Sequence, residues 1–438
     1  MLLRLLGARV PVGLMWVDKL IIEAVEQYSA LGALVDWSRI GVLVALAFAI
    51  ALCGETLTQD GPMSALPVRF LACLLGLSMA PALLAGQAAV TIESQPSCSS
   101  CSIRLSPFAA VGSAGDSVLV GTFSRLVWAP WGQFYAAPTA APGVVAVYDH
   151  AGKQSGSLGR AGSGPGEFQG IRGVVPIGGG GLLVNDGPRL SILTRTGRPV
   201  RSAPLPLGVA TFNIAALPDG RFVVNNQRAT GVARLVLLDT TLALVRPLGR
   251  ALSQSVPDRD ALMMVLAAGD SGTIIAAQAL GTYAIEVWDT TGVLRRRIIR
   301  NADWFRPYDP AERQRRWLAS PPLPAINSTY YAGEGLLWIA GLVADRRWSP
   351  PAPAADIGER SARTGVRERR SARWDVAFGT LHFDTMIEVL DLASGRLVTA
   401  LRLDQVASFI GGGLLAWQEE DGDGVITYRV SRPSIVRR

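Results

Sequence analysis

Histidine is nearly absent from this sequence: 438 residues carry two, His150 and His382. Cysteine is scarcely commoner, with four, and lysine occurs only at Lys19 and Lys153 although Lys and Arg together number 42. Each scarcity excludes something. Cys53 and Cys73 lie inside apolar runs, which leaves Cys98 and Cys101 in "PSCSSC" by themselves. A zinc site wants two further soft ligands, and haem attachment wants a histidine where Ser102 stands. No βαβ pattern surrounds the pair to make it a thioredoxin-type centre. In an oxidising compartment Cys98 and Cys101 are expected to close a small local disulfide, with free thiols as the next reading and a metal as the last. The formal charge of +7, nearly all arginine, is spread thinly and reads as a solvated surface; nucleic acid is set aside as a partner.

Long apolar runs are missing too. "IGVLVALAFAIALC", Ile40 to Cys53, falls short of the ~20 residues that one membrane span needs. A second run differs in kind: from Met63, "MSALPVRFLACLLGLSMAPALLAGQAA" sets Arg69 before an apolar stretch from Phe70 to Met79, then small residues at Ala85, Gly86, Ala88 and Ala89. Those are the three parts of a secretory signal. Residues 1–62 are therefore expected to be upstream sequence outside the native product. Residues 63–90 read as a signal peptide or, if uncut, a membrane anchor, and 91–102 as a linker. The bulk of the chain is expected in the periplasm or outside the cell, as a monomer.

Glycine, by contrast, is abundant, and it punctuates a repeat. Alternating strands that end in Asp and a Gly turn recur as "VVAVYDHAGK", "RLSILTRTGR", "RLVLLDTTLA", "AIEVWDTTGV", "MIEVLDLASGR" and a degenerate "VITYRVSRPS". The position of Asp149 is filled in turn by Thr194, Asp239, Asp289, Asp391 and Arg429. Upstream of each lies a tight turn between short apolar segments, as in "VWAPWGQFYAA" and "AALPDGRFVV". The two registers march together, so each repeat reads as four antiparallel strands, a to d, of about 45 residues. Six such units predict an all-β, six-bladed β-propeller over 103–438, with an insertion at 342–385 in blade 5 and an apolar helical segment ahead of it. The last unit lacks a good fourth strand, and "IRLSPFAAVG", Ile103 to Gly112, is expected to supply it and close the ring.

The stretch "VYDHAGKQSGSLGRAGSGPGEFQGIRGVV", Val147 to Val175, resembles NHL-type repeats, and Ile103 to Arg438 as a whole resembles exported bacterial six-bladed propellers of that kind. The chain departs from the family pattern at Thr194, where Asp is usual, and the strand-b Asp is matched clearly only by Asp186.

"GRAGSGPGEF", Gly159 to Phe168, invites a phosphate-loop reading, which needs a helix after it and a Lys-Ser/Thr pair. Downstream lies "QGIRGVVPIGGGG", glycine-broken and β-branched, so the loop reads as a corner between blades. Hairpin geometry sends a–b and c–d turns to one face and b–c and d–a connections to the other. The long segments fall on the second face, the natural place for a site. Polar residues ending the b strands, Asn185, Asp186, Asn225, Asn226, Gln278, Gln418 and Glu419, are expected around the channel mouth. Such oxygen ligands suit Ca²⁺, and "EEDGDG", Glu419 to Gly424, resembles a calcium loop, although a hairpin turn explains it as well. "DPAERQRRWLAS", Asp309 to Ser320, predicts a short helix, and Arg360 to Arg373 an arginine-rich loop. Trp304, Phe305, Trp317 and Trp374 read either as stacking platforms or as core.

The leading expectation is a non-catalytic binding or scaffold module for a protein, peptide or glycan, needing no cofactor. The alternative is a lactonase-like hydrolase or lyase using a cation in the channel. No nucleophile has a base at hand, because His150 is expected in a c–d turn and His382 at the insertion's exit.

Overall fold

The computed structural model describes residues 89–121, 125–138, 141–206, 211–226, 233–251, 262–309, 312, 320–349 and 382–437. The expected signal segment, most of the helix after Asp309, Trp317, Trp374 and the arginine-rich stretch lie outside them. No helix among the described residues is long and apolar enough to cross a membrane.

Two strands open the described chain, β1 (Val90–Ile92) and β2 (Cys101–Val111). Blade 1 comes next as β3 (Arg125–Ala129), β4 (Gln133–Ala137), β5 (Val145–Tyr148) and β6 (Gln154–Leu158). A small parallel pair, β7 (Arg160–Ala161) and β8 (Glu167–Phe168), lies in the connection to blade 2. Blade 2 is β9 (Gly173–Ile177), β10 (Gly181–Asp186), β11 (Arg189–Thr194) and β12 (Pro199–Pro204). Blade 3 is β13 (Thr211–Ala216), β14 (Phe222–Asn226), β15 (Ala233–Leu238) and β16 (Leu244–Ala251). Blade 4 is β17 (Met264–Ala268), β18 (Ile274–Gln278), β19 (Ala284–Trp288) and β20 (Leu294–Arg300). Blade 5 is β21 (Ala325–Tyr331), β22 (Leu336–Ala344), β23 (Phe383–Asp391) and β24 (Arg396–Leu403). Blade 6 is β25 (Ala407–Phe409), β26 (Leu415–Glu420) and β27 (Ile426–Arg437), completed by β2 in antiparallel register from Cys101↔Arg437 to Val111↔Tyr428. The result is a six-bladed β-propeller.

Local chemistry explains the repeat. At the c–d turns a side-chain oxygen caps the bend: Asp149 Oδ1 accepts from the amides of Ala151 and Lys153, Asp239 Oδ1 from Thr241 and Ala243, and Asp289 Oδ1 from Thr291 and Val293. Asp391 Oδ1 accepts from Ala393 and Ser394, and Thr194 Oγ1 takes over the role with Arg198. These Asx- and ST-type bonds define the turn without a specific ring of neighbours. Arg429 has no such task, because β27 runs straight on beside β2 and blade 6 has no c–d turn.

Each blade packs both faces against its neighbours, which is why strands b and c are apolar almost throughout. Phe134, Tyr148, Leu414 and Tyr428 join blades 1 and 6; Tyr135, Phe168, Leu182 and Val184 join blades 1 and 2. Gly152, at φ +88°, sits where blade 1 meets the closing strand: a Cβ there would lie 2.8 Å from the Ala110 carbonyl carbon. Only glycine fits that crossing.

The segment read as a linker is tied to blades 4 and 5. β1 adds a fifth, parallel strand to blade 4, with Val90↔Ile298 and Ile92↔Arg300, and Ile92 is buried. The chain then crosses the outer edge of blade 5, where Ser97 N donates to Leu397 O (2.7 Å) and Cys98 N to Val398 O (3.4 Å). Cys98 and Cys101 are disulfide-bonded, with Cα atoms 5.3 Å apart, and Cys101 opens β2. Hydrophobic Val90 and Ile92, alternating with polar Thr91, give the segment its inward face.

Candidate functional site

The innermost strands of all six blades line a central channel of about 640 Å³. It extends from Arg125, Arg172, Asn185 and Gln418, where d–a and b–c connections leave, to Pro130 and Gly411 in the a–b turns. Its middle is mixed: Val127, Val174, Ile214 and Val265 are apolar, and Asn213, Asn327, Ser328, Thr329 and Ser408 are polar. Among the described lining residues there is no carboxylate, and the only charges are Arg125 and Arg172.

The seven residues singled out from the sequence separate here. Asn185 and Gln418 line the channel. Asn185 is 7 % exposed, and its Oδ1 has no hydrogen-bond partner. Gln418 donates from Nε2 to Gly121 O (3.0 Å) and bonds to the Tyr428 phenol, whose pKa is raised chiefly by burial.

The other five serve connections. The Asp186 carboxylate accepts from the amides of Gln169 and Gly170 and from Arg189, which in turn donates to Ser163 O and Glu167 O. Together they stitch the "GRAGSGPGEF" corner shut; Glu167 reaches back to the Gly164 amide (2.8 Å) and to Arg160, and β9 stands where a phosphate loop would need a helix. Asn225 is fully buried, donates to Arg234 O and Leu262 O, and accepts from the Met264 amide, fixing the entry to blade 4. Asn226 donates to Ala233 O, and Gln278 to Leu280 O, each within its own b–c connection. Glu419 pairs with Arg429 at 2.7 Å on the exposed rim, and that hydrogen bond holds its carboxyl below the usual range. In "EEDGDG" the Asp421 Oδ1 accepts from the amides of Asp423 and Val425, a hairpin cap.

Trp304 and Phe305 belong to the core and form no stacking platform. Phe305 is 2 % exposed, and Trp304 Nε1 donates to Glu388 Oε1 (3.0 Å). Glu388 is the hub of a buried knot between blades 4 and 5. It pairs with Arg300 at 2.7 Å, both side chains 2 % exposed, and accepts from Tyr283 Oη (2.9 Å), whose pKa is raised by burial and then by the Glu388 charge. Glu286 plays the matching part between blades 3 and 4, taking Arg234 (3.0 Å) and Trp288 Nε1 (3.2 Å). Sequence reasoning passes over both glutamates, although a charge inside "AIEVW" and "MIEVL" breaks an otherwise apolar strand and so marks a paired group. It passes over Arg125 and Arg172 too, and no local pattern distinguishes them. Among the described residues no three His, Cys, Asp or Glu side chains come together in a group able to hold a metal.

No protein-family model and no curated protein matches the chain in sequence. Among solved structures the chain is similar to a presumed exported protein from Bacteroides fragilis, at 10 % identity and a TM-score of 0.49, over 78 % of this chain and 99 % of that one. It is also similar to the WD40 domain of Neurospora crassa Pan2, at 9 % identity and a TM-score of 0.41, over 76 % and 97 %. A third likeness is to catalytically inactive virginiamycin B lyase from Staphylococcus aureus with quinupristin, at 10 % identity and a TM-score of 0.40, over 76 % and 99 %. Each is a likeness in the course of the chain and carries no site residue across to this one.

Proposed function

We propose that this chain is an extracytoplasmic propeller of NHL-like kind that serves as a binding or scaffold module, taking its ligand at the channel mouth on the face of the b–c and d–a connections. The observation that carries the reading is the channel itself: about 640 Å³, walled by all six blades, and mixed in polarity. That volume lies within the range of ligand sites, which pair apolar walls with a few placed polar groups. Signal-like residues from Met63 and the Cys98–Cys101 disulfide support an oxidising location. The metal-assisted hydrolase or lyase draws no support from the described residues, because Asp186 and Glu419 are spent on a corner and a rim pair.

Val406 stands at the entry end of the lining. Peptides and neutral oligosaccharides screened by thermal shift should stabilise the wild-type chain, and Val406→Trp, which narrows the entry, should abolish that shift without lowering the melting temperature of the free protein. Undiminished binding by Val406→Trp would move the site elsewhere, and calcium-dependent lactone turnover would replace the reading with the enzymatic one.

A further inference from the structure

We infer that the channel mouth is an oxyanion site, in which Arg125 and Arg172 hold the carboxylate or phosphate of a small ligand entering between blades 1 and 2. The inference rests on the channel-binding reading above and names the chemistry of its ligand.

Placement comes first. Arg125 is the opening residue of β3, and Arg172 immediately precedes β9. These strands are neighbours on the channel wall, and both side chains line the same cavity at its entry end. Neither arginine has a carboxylate partner among the described residues, whereas Arg189, Arg234, Arg300 and Arg402 each hold one. Arg125 and Arg172 keep solvent access at the mouth; burial on the protein side of Arg125 draws its pKa down, with the Tyr428 phenol opposing. A guanidinium remains charged under such conditions. Two solvent-accessible cations at one mouth, with no acid among its described lining residues, make a site that an anion from outside completes.

The polar wall adds a second requirement. The Arg172 amide donates to Asn185 O (2.8 Å), which ties the two residues together at the mouth. Asn185 Oδ1 and, further in, Thr329 Oγ1 are buried without hydrogen-bond partners, and both residues line the channel. Buried polar atoms are satisfied in nearly all proteins, so such orphans mark where water or a ligand completes the set. A partner for Asn185 Oδ1 must be a donor. The matching ligand therefore carries an oxyanion together with a hydroxyl or amine, as in hydroxy acids, amino acids and sugar acids or phosphates.

The test uses the full chain and calorimetric titration at constant ionic strength with lactate, succinate, citrate and inorganic phosphate, and with lactamide and glycerol as uncharged counterparts. At least one anion should saturate with one site per chain. Arg125→Gln and Arg172→Gln should each weaken it about ten- to a hundredfold, the range of a lost charge-assisted hydrogen bond. Arg125→Lys should recover part of the loss, and Arg221→Gln, at a turn outside the channel, should change nothing. Circular dichroism identical to wild type establishes that the variants fold. The inference is overturned if no anion saturates, or if the Arg125→Gln/Arg172→Gln double variant binds as wild type does. In that event a neutral peptide or oligosaccharide whose binding is still lost in Val406→Trp preserves the channel as the binding site. If neutral probes also ignore Val406→Trp, the binding reading falls as well.

Discussion

At the c–d turns a single carboxylate oxygen takes the two amides that a tight bend leaves without a strand partner, and the ionised form does this best. Hydrogen bonds from the Thr241 and Thr291 side chains hold the Asp239 and Asp289 carboxyls below the usual range. At Asp391 burial pushes the other way, and the hydrogen bonds from Ser394 outweigh it. A folded-state pKa below the unfolded value of about 3.9 means that the contribution is present above that pH and is lost as the pH falls through the folded value. Melting temperature should therefore hold steady from pH 7 to about pH 4 and decline below it. In Asp239→Asn/Asp289→Asn/Asp391→Asn the acid-induced decline should be smaller than in the wild type. Equal declines would assign acid sensitivity to other carboxylates. Those turn residues were legible from the sequence because their chemistry is local: the cap bonds to amides two to four positions ahead, so the pattern repeats wherever the bend does.

Among the elements, β1 and β2 have different tasks although they are joined by one short segment. β2 covers the whole edge of β27, from Arg437 to Tyr428, and an uncovered edge is a template for pairing with another chain. β1 covers only part of β20. Deleting 89–96 should leave a monomeric, cooperatively folding propeller of reduced melting temperature, whereas deleting 89–111 should give oligomers or aggregate in size-exclusion chromatography. A well-behaved monomer from the longer deletion would show that blade 6 holds with three strands. Completion of blade 6 by the leading strand is readable from "VITYRVSRPS", where the turn residues are missing. β1 is harder to see, because three residues of alternating character beside a signal-like run resemble its tail.

For the molecule as a whole, the ring is fastened by polar knots as well as by apolar packing. Arg300 links Glu388 on blade 5 to blade 4 and, through Nη1, to Ile92 O on β1 (3.3 Å). Glu388→Ala leaves a buried guanidinium without its counter-charge, a change that costs about 3–5 kcal/mol. The midpoint of denaturant unfolding should fall accordingly, and amide exchange should speed up first in β1 and β20. A neutral outcome would mean that water reaches Arg300 in the variant. The blade count was legible from turns and strand alternation, yet the channel was not. Arg125 in "SRLVWAP" looks like any solvated arginine ahead of an apolar strand, and only closure of the circle turns it inward. Four of the seven polar strand-end residues, Asp186, Asn225, Asn226 and Gln278, likewise look available in one dimension and prove committed to neighbouring backbone in three, and Glu419 is taken by Arg429.

The pairing of Cys101 with Arg437 has a temporal side. On the ribosome the strand that seals the circle is made among the first of the propeller, and its mate among the last. Every intermediate length is thus a broken annulus with β2 waiting, and shutting it requires a contact of very high sequence separation, the kind that forms slowly. Such a chain stays open until β27 is made, and that strand decides when it becomes a closed object.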